Sequence, residues 1–332
     1  MFDFTLIVLP SSYGSSVAAT LDILRCAEEL APRVQAPVPR WRICSLNGKK
    51  TRLQSGLLIE TTPLRMSDHD TSTWILPGLG LTSTREIDAV LGRPDIKKLA
   101  AGMRAHLERG GRIAAGCSSV FLLAHAGLLE QRRVTTSWWL APHLPEIESS
   151  CQVEASRMVC EDGPVVTAGA AFAQTDLMLH LLRTQHGAKL AEWVSRFLLL
   201  DARMAQSPYV TPEVLALGDE LIERIMQVIE TALPEVPAVS ELAAHFCISE
   251  RTLARHVRRA TGKSPLALIQ SVRVRKARQL LEQSKLSVAH VAEAVGYADA
   301  TALRRLMRKA TGANPGRYRP GLHATPTLTE NA

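Results

Sequence analysis

The feature that most constrains this chain is a pattern written twice near its end. Leu253-Ala-Arg255-His-Val257-Arg-Arg-Ala260-Thr261-Gly262 returns as Leu303-Arg-Arg305-Leu-Met307-Arg-Lys-Ala310-Thr311-Gly312 at an offset of 50 residues, and each copy runs on to a proline, Pro265 and Pro315. Upstream, Leu242-Ala243 matches Val291-Ala292 at an offset of 49, so the second copy carries one extra residue between its two segments. A repeat that differs only in the length of a turn is one structural unit used twice.

Each copy predicts two short helices joined by a tight turn, the helix-turn-helix arrangement. In the first, Val239, Leu242, Ala243 and Phe246 share one apolar face, Ser249 is placed to cap the next helix, Leu253 and Val257 continue the buried face, and Gly262 ends it. In the second, Val288, Val291, Ala292 and Val295 form the face, Gly296 permits the turn, Asp299 is the candidate cap, Leu303 and Met307 are buried and Gly312 stops the helix. The opposite faces carry Arg251, Thr252, Ala254, Arg255 and Arg258 in one copy and Thr301, Arg304, Arg305 and Arg308 in the other. Arginine forks match guanine edges and phosphates, which suits such faces to the major groove of double-stranded DNA. A single basic face could equally be a solvated helix surface; two in register after matching turns point to DNA.

Between the copies, Pro265 to Gln283 reads as one continuous helix able to hold the two heads about 34 Å apart, one turn of DNA. Its basic positions, including Arg273 and Lys276, either rest on the DNA backbone or face water. Charge is distributed to match. Val236 to Pro320 holds 16 lysines and arginines against 5 acidic residues, whereas the preceding 235 residues hold 23 against 26. A local basic excess is the mark of a domain that binds an anionic polymer.

On these residues the stretch from Val239 to Arg319 resembles the DNA-binding domain of AraC/XylS-type transcription regulators. The matching marks are Ile248-Ser249-x-Arg251-x-Leu253-x-Arg255, Arg273-x-Arg275-x-Ala277-x-x-Leu280-Leu281, Val291-Ala292-x-x-Val295-Gly296-Tyr297 and Pro315-x-x-Tyr318-Arg319. The resemblance implies contact with RNA polymerase as well as DNA. One departure is the presence of Leu303 and Met307, both still apolar, where this family often has phenylalanine.

At 332 residues the chain is long enough for a second core ahead of this domain. Short apolar runs alternate there with helical ones, the rhythm of an α/β sandwich. Phe4–Leu9 is the predicted first strand, Ser16–Leu30 a helix, and Trp41–Ser45, Leu57–Thr61, Thr73–Leu76, Arg112–Ala115 and Val165–Thr167 further strands. Helices are expected over Asp95–Arg109, from Ser119 to Ala126, over Ala173–Leu182 and over Lys189–Leu200. Gly116-Cys117-Ser118-Ser119 joins a strand to a helix, a sharp turn that can hold an exposed thiolate over helix N–H groups. The same spacing also suits a small buried cysteine at a tight turn.

Residues 4 to about 200 resemble the PfpI-like, class I glutamine amidotransferase-like domain found ahead of the reader in one branch of the AraC-type regulators. That likeness rests on Asp22 in the first helix, Leu76-Pro-Gly78, Gly116-Cys117, Leu122-Leu-Ala124-x-Ala126-Gly127-Leu128-Leu129, Thr135-Thr-Ser-Trp138 and Thr167-Ala-Gly169 followed by Asp176. It implies a flavodoxin-like fold. Two departures stand against catalysis: Ser118 follows Cys117 where related enzymes often have histidine, and Ser137 replaces the histidine of a common Thr-His-Trp motif. A thiol without a base is mostly protonated at neutral pH. The resemblance therefore implies a retired active site serving as an effector pocket lined by Asp22, Cys117, Ser118 and Trp138, although Trp138-Trp139 could be ordinary core. Related regulators respond to arginine, betaine or carnitine, and a carboxylate beside tryptophan suits such cations.

The expected organisation is a sensing and dimerising domain over 1–200, a linker and connecting helix over 201–235, the reader over 236–320 and a disordered tail over 321–332. The expectation is a cytoplasmic homodimer, without membrane segment, metal or cofactor. Six scattered cysteines lack metal-ligand spacing, and no run of 18 apolar residues occurs. The alternatives are a cysteine-dependent amidase or hydrolase fused to a DNA-binding domain, and a regulator whose first domain only dimerises.

Overall fold

The structure, a computed structural model, describes residues 2–65, 69–201, 203, 205–206, 219–311 and 314–319. The chain divides into two compact units, Met1–Gln206 and Ser207–Ala332. The expected tail, the 207–218 part of the expected linker and connecting helix, and the stop at Gly312 lie outside the described residues.

The first unit opens with β1 (Phe4–Ile7), α1 (Gly14–Val34) and β2 (Trp41–Ser45). The predicted strand at 57–61 is shorter, β4 (Leu58–Ile59), and makes a small hairpin with β3 (Thr51–Arg52), while β5 (Thr62–Pro63) just after it joins the main sheet. Then come β6 (Thr73–Leu76), α2 (Thr84–Leu91), α3 (Pro94–Glu108), β7 (Arg112–Gly116), a 3-10 turn at Cys117–Ser119 and α4 (Val120–His125). After β8 (Arg133–Val134), α5 (Leu144–Ile147) and β9 (Gln152–Val153) the unit closes with β10 (Val159–Asp162), β11 (Val165–Ala168), α6 (Ala173–His186) and α7 (Ala188–Phe197).

The main sheet has strand order β10-β11-β7-β6-β1-β2-β5, parallel throughout except for β10 at one edge. Its central strands are buried on both faces, so they read as apolar runs, and their two-residue alternation divides the core. Phe4, Leu6, Ile75, Ala114 and Val166 pack with α1, α6 and α7 on one face. Ile7, Trp74, Leu76, Ile113 and Ala115 pack with α2, α3 and α4 on the other. Helices on both faces of a mostly parallel sheet are the expected α/β sandwich, of flavodoxin-like type. Ligand sites in such sheets form at the carboxyl ends of the strands, and β7 ends there on Gly116, immediately before Cys117.

The second unit is helical among its described residues: α8 (Glu220–Thr231), α9 (Val239–His245), α10 (Glu250–Thr261), α11 (Pro265–Gln283), α12 (Val288–Ala294), α13 (Ala300–Thr311) and a 3-10 turn at Pro315–Tyr318. It has two cores. Ile222, Ile225, Met226 and Ile229 of α8 pack with Leu242, Ala243, Leu253 and Val257, and α11 adds Leu268, Ile269 and Val272. Farther along the same helix, Ala277 and Leu281 pack with Val291, Ala292, Val295, Leu303 and Met307. One rigid helix thus seats both helix-turn-helix pairs. The first core draws on residues well upstream of 236, because two short helices cannot enclose a core by themselves. Asp219 caps α8 through the Ile222 N–H and pairs with His256 of α10 at 2.8 Å, while Arg275 of α11 pairs with Glu230 of α8 at 2.6 Å.

Candidate nucleic-acid interface and the Cys117 site

The two reading helices are built alike. Ser249 accepts the Thr252 N–H at 3.2 Å, and Asp299 accepts those of Thr301 and Ala302 at 2.7 and 2.8 Å. Those N–H groups also hold the Asp299 carboxyl below the ordinary carboxylate value. With Leu253, Val257, Leu303 and Met307 fully buried, the helical period turns Arg251, Arg255 and Arg258 outward on α10. Thr301, Arg304, Arg305 and Arg308 are likewise exposed on α13. Thr252 is half-buried, with its hydroxyl 2.9 Å from that of the Ser249 cap. Gly262 ends α10 at φ 68, in the left-handed region.

The connecting helix departs from the sequence reading at Arg273. Instead of facing DNA or water, Arg273 is half-buried, donates to the Gly296 carbonyl at 3.1 Å and stacks over Tyr297 at 5.2 Å. It braces the turn of the second helix-turn-helix, where a guanidinium satisfies a carbonyl left free by the αL residue. Lys276 is half-buried, and its amine lies 3.5 Å from the Gln279 side-chain oxygen. Accordingly, Arg273→Ala should lower the unfolding free energy of the second unit by about 1–2 kcal/mol, the loss of one hydrogen bond and one cation–π contact. Denaturant titration of wild type and variant checks this, and the salt dependence of DNA binding should stay unchanged.

Cys117 sits where β7 turns into α4, with φ 54, a left-handed conformation that costs a cysteine strain. Its backbone is held from two sides: its N–H donates to the Gly169 carbonyl at 2.8 Å, and its carbonyl accepts the Thr136 hydroxyl at 2.8 Å. Sγ lies 3.1 Å from Ser137 Oγ, and Gly78 passes so close that a Cβ there would stand 2.7 Å from Cys117 Cβ. Ser118 and Ser119 donate their hydroxyls to the carbonyls of Leu79 and Pro77, at 2.6 and 2.5 Å. Cys117 is 1% exposed. Burial pushes its thiol above the usual range, against the lowering effect of Ser137 and of the N–H groups of Ser118 and Ala171. The residue is enclosed as a neutral thiol.

Residues 92–184 match the DJ-1/PfpI family, and residues 242–321 match a helix-turn-helix domain. The chain thus carries a DJ-1/PfpI match ahead of an AraC-type helix-turn-helix match. Two relatives align along most of its length. The HTH-type transcriptional regulator GbdR of Pseudomonas aeruginosa is 25% identical over 92% of this chain and 81% of its own. The HTH-type transcriptional regulator CdhR of the same species is 27% identical over 96% and 91%. Among solved structures, a protein from Vibrio parahaemolyticus provisionally described as a transcriptional regulator superposes with a TM-score of 0.50 at 20% identity, over 59% of this chain and 98% of that one. That likeness is one of fold.

Within the DJ-1/PfpI domain the predicted pocket residues do not all meet. Cys117 and Ser118 adjoin, and Trp138 follows Ser137, packed edge-on against Trp139 at 5.4 Å and 8% exposed. Asp22 does not join them. It stands exposed on α1, whereas the side of that helix near Cys117 is its beginning, at Tyr13. Nine residues of helix place Asp22 roughly 13 Å farther along the axis. The neighbour that sequence reasoning missed is Tyr13, whose hydroxyl is raised first by burial and then by Cys117 and Glu86. Its only signal was its position at the end of the first βα turn. Ser137 stands beside the thiol where a base would have to be; a hydroxyl cannot take the proton at neutral pH.

The enclosed thiol gives a signed prediction. An unfolded cysteine ionises near its ordinary value of 9.0, and the folded Cys117 only above it. Stability contributed by this group is therefore present below that value and lost as pH rises through it. Cys117→Ser should lose less stability than wild type between about pH 8 and pH 10, measured by denaturant titration across that range.

Proposed function

We propose that the protein is a cytoplasmic, sequence-specific DNA-binding transcriptional regulator, dimeric through its DJ-1/PfpI domain, which senses a small molecule and turns none over. The observation that carries this reading is the pair of exposed arginine faces, each backed by its own core and set after a capped turn. Arg251, Thr252, Arg255 and Arg258 read one major-groove segment, and Thr301, Arg304, Arg305 and Arg308 read the next. Lys276 contributes a phosphate contact, and Arg273 contributes none. Relatives of the same two-domain order named as transcriptional regulators support the reading. RNA polymerase is the protein partner that the resemblance to AraC-type regulators implies.

The effector would sit against Cys117, Ser118 and Trp138, with Tyr13 beside them. The exposed carboxylate of Asp22 lies away from that place, so it supplies no charge for a cationic amine. The rival reading, a cysteine hydrolase, lacks its base: among the described residues no histidine is hydrogen-bonded to Cys117, and its thiol is driven toward the neutral form. Among the described residues no helix is long and apolar enough to cross a membrane, and no three His, Cys, Asp or Glu side chains cluster as a metal site.

The test is a titration of the full chain against duplex DNA selected from a random pool, at several salt concentrations. Specific binding should exceed that to scrambled duplex by 10³-fold or more, and its logarithm should fall linearly with that of salt, as phosphate contacts release counterions. Equal affinity for both duplexes contradicts the reading. Amide turnover abolished by Cys117→Ser would restore the enzyme.

A further inference from the structure

The chain leaves the DJ-1/PfpI domain through Gln206, which is buried to 2% exposure. Its amide is clamped inside the domain. Nε2 donates among the carbonyls of Thr136 at 2.9 Å, Arg157 at 3.0 Å and Ala155 at 3.2 Å, with the Thr135 hydroxyl at 3.3 Å. Oε1 accepts the Ala170 N–H at 2.9 Å, and the Gln206 N–H donates to the Ser156 carbonyl at 2.7 Å. Gly169 has no side chain because the amide occupies that space: a Cβ there would stand 2.2 Å from it. Three residues earlier, Arg203 grips Asp176 of α6 at 2.6 Å. An exit segment fastened this firmly is more than a tether.

The segments that hold Gln206 are the two that hold Cys117. Thr136 offers its carbonyl to the Gln206 amide and its hydroxyl to the Cys117 carbonyl. Gly169 accepts the Cys117 N–H at its carbonyl, and its neighbour Ala170 donates to Gln206. Ser137 touches the sulfur directly. A molecule seated on Cys117 that displaces 135–137 or 169–171 therefore misaligns the bonds on Gln206, and hydrogen bonds weaken steeply with angle.

We infer that Gln206 is a positioning residue that couples the Cys117 site to the segment leading out of the DJ-1/PfpI domain. The inference rests on the sensing role proposed above and names its route. Coupling between two sites is reciprocal, so loosening Gln206 must loosen the walls of Cys117. Only a neutral amide fits: glutamate would turn carboxylate oxygen toward the carbonyls of Thr136, Ala155 and Arg157.

The experiment measures alkylation of individual cysteines by iodoacetamide in the full chain, by peptide mapping, for wild type, Gln206→Ala and Gln206→Glu. Cys26 and Cys44, buried in α1 and β2, report global loosening. The expected result is labelling of Cys117 accelerated tenfold or more while Cys26 and Cys44 stay within twofold of wild type. Should either variant prove unstable throughout, Gln206→Met, which keeps most of the volume and none of the amide bonds, takes its place. Cys117 labelling within twofold of wild type, or rising only in step with Cys26 and Cys44, overturns the inference. Neither DNA nor effector enters the readout. Failure here leaves the sensing role standing, and failure to find any effector leaves the labelling result standing.

Discussion

Replacing Gly296 with alanine should melt the second helix-turn-helix and leave the DJ-1/PfpI domain folded. Gly296 turns the chain between α12 and α13 at φ +81, where an L side chain costs about 1–2 kcal/mol. Space is the harder constraint. An added Cβ would stand 2.2 Å from the Pro234 carbonyl oxygen and 3.2 Å from the Arg273 guanidinium. The oxygen belongs to backbone and cannot swing aside, so the turn must move, carrying Val295 and with it the core that Val295 shares with Val291, Leu303 and Met307. Strain and displacement together should lower stability by about 2–4 kcal/mol, a large part of what a small domain has. Gly316 is the matched control, because nothing lies within 4 Å of its missing Cβ. Thermal unfolding of Gly296→Ala should show an early transition absent from wild type, whereas Gly316→Ala should melt like wild type. An unshifted transition in Gly296→Ala would mean that the turn is looser than its contacts indicate.

The second large effect falls on DNA binding. Arg255→Ala and Arg305→Ala should each weaken binding to the selected duplex by about 1–3 kcal/mol, the worth of one bidentate contact to a base. Both side chains are exposed on capped helices whose opposite faces are fully buried, so their loss costs recognition and little folding. The double variant should lose the sum, because the two helices sit in separate cores and share no packed residue. Titration of both single variants and the double on one duplex checks the additivity.

Much of this was legible in the sequence, for identifiable reasons. The repeat fixed which faces of α10 and α13 are buried, because a 3.6-residue period leaves one place for Leu253 and Val257. The apolar strand runs foretold a sheet covered on both sides. Arg273 was misread because a basic residue on a helix looks the same whether it meets phosphate or a carbonyl from a turn 23 residues away. Asp22 was misplaced because family likeness gives order along the chain, and depth along a helix must be counted in ångströms. Gln206 was invisible: one glutamine in a polar stretch carries no periodicity, and its meaning arises from carbonyls of 136, 155 and 157 that only the fold brings together.

Whether two heads on one chain read two adjacent segments of DNA is decided by site selection from a random-sequence pool. Wild type, Arg255→Ala and Arg305→Ala would each be carried through the same selection. The expected wild-type site has two blocks about one helical turn apart, with each variant losing its sequence preference in one block only, and in different blocks. A wild-type pool without common sequence, or two variants that erode the same positions, would contradict it.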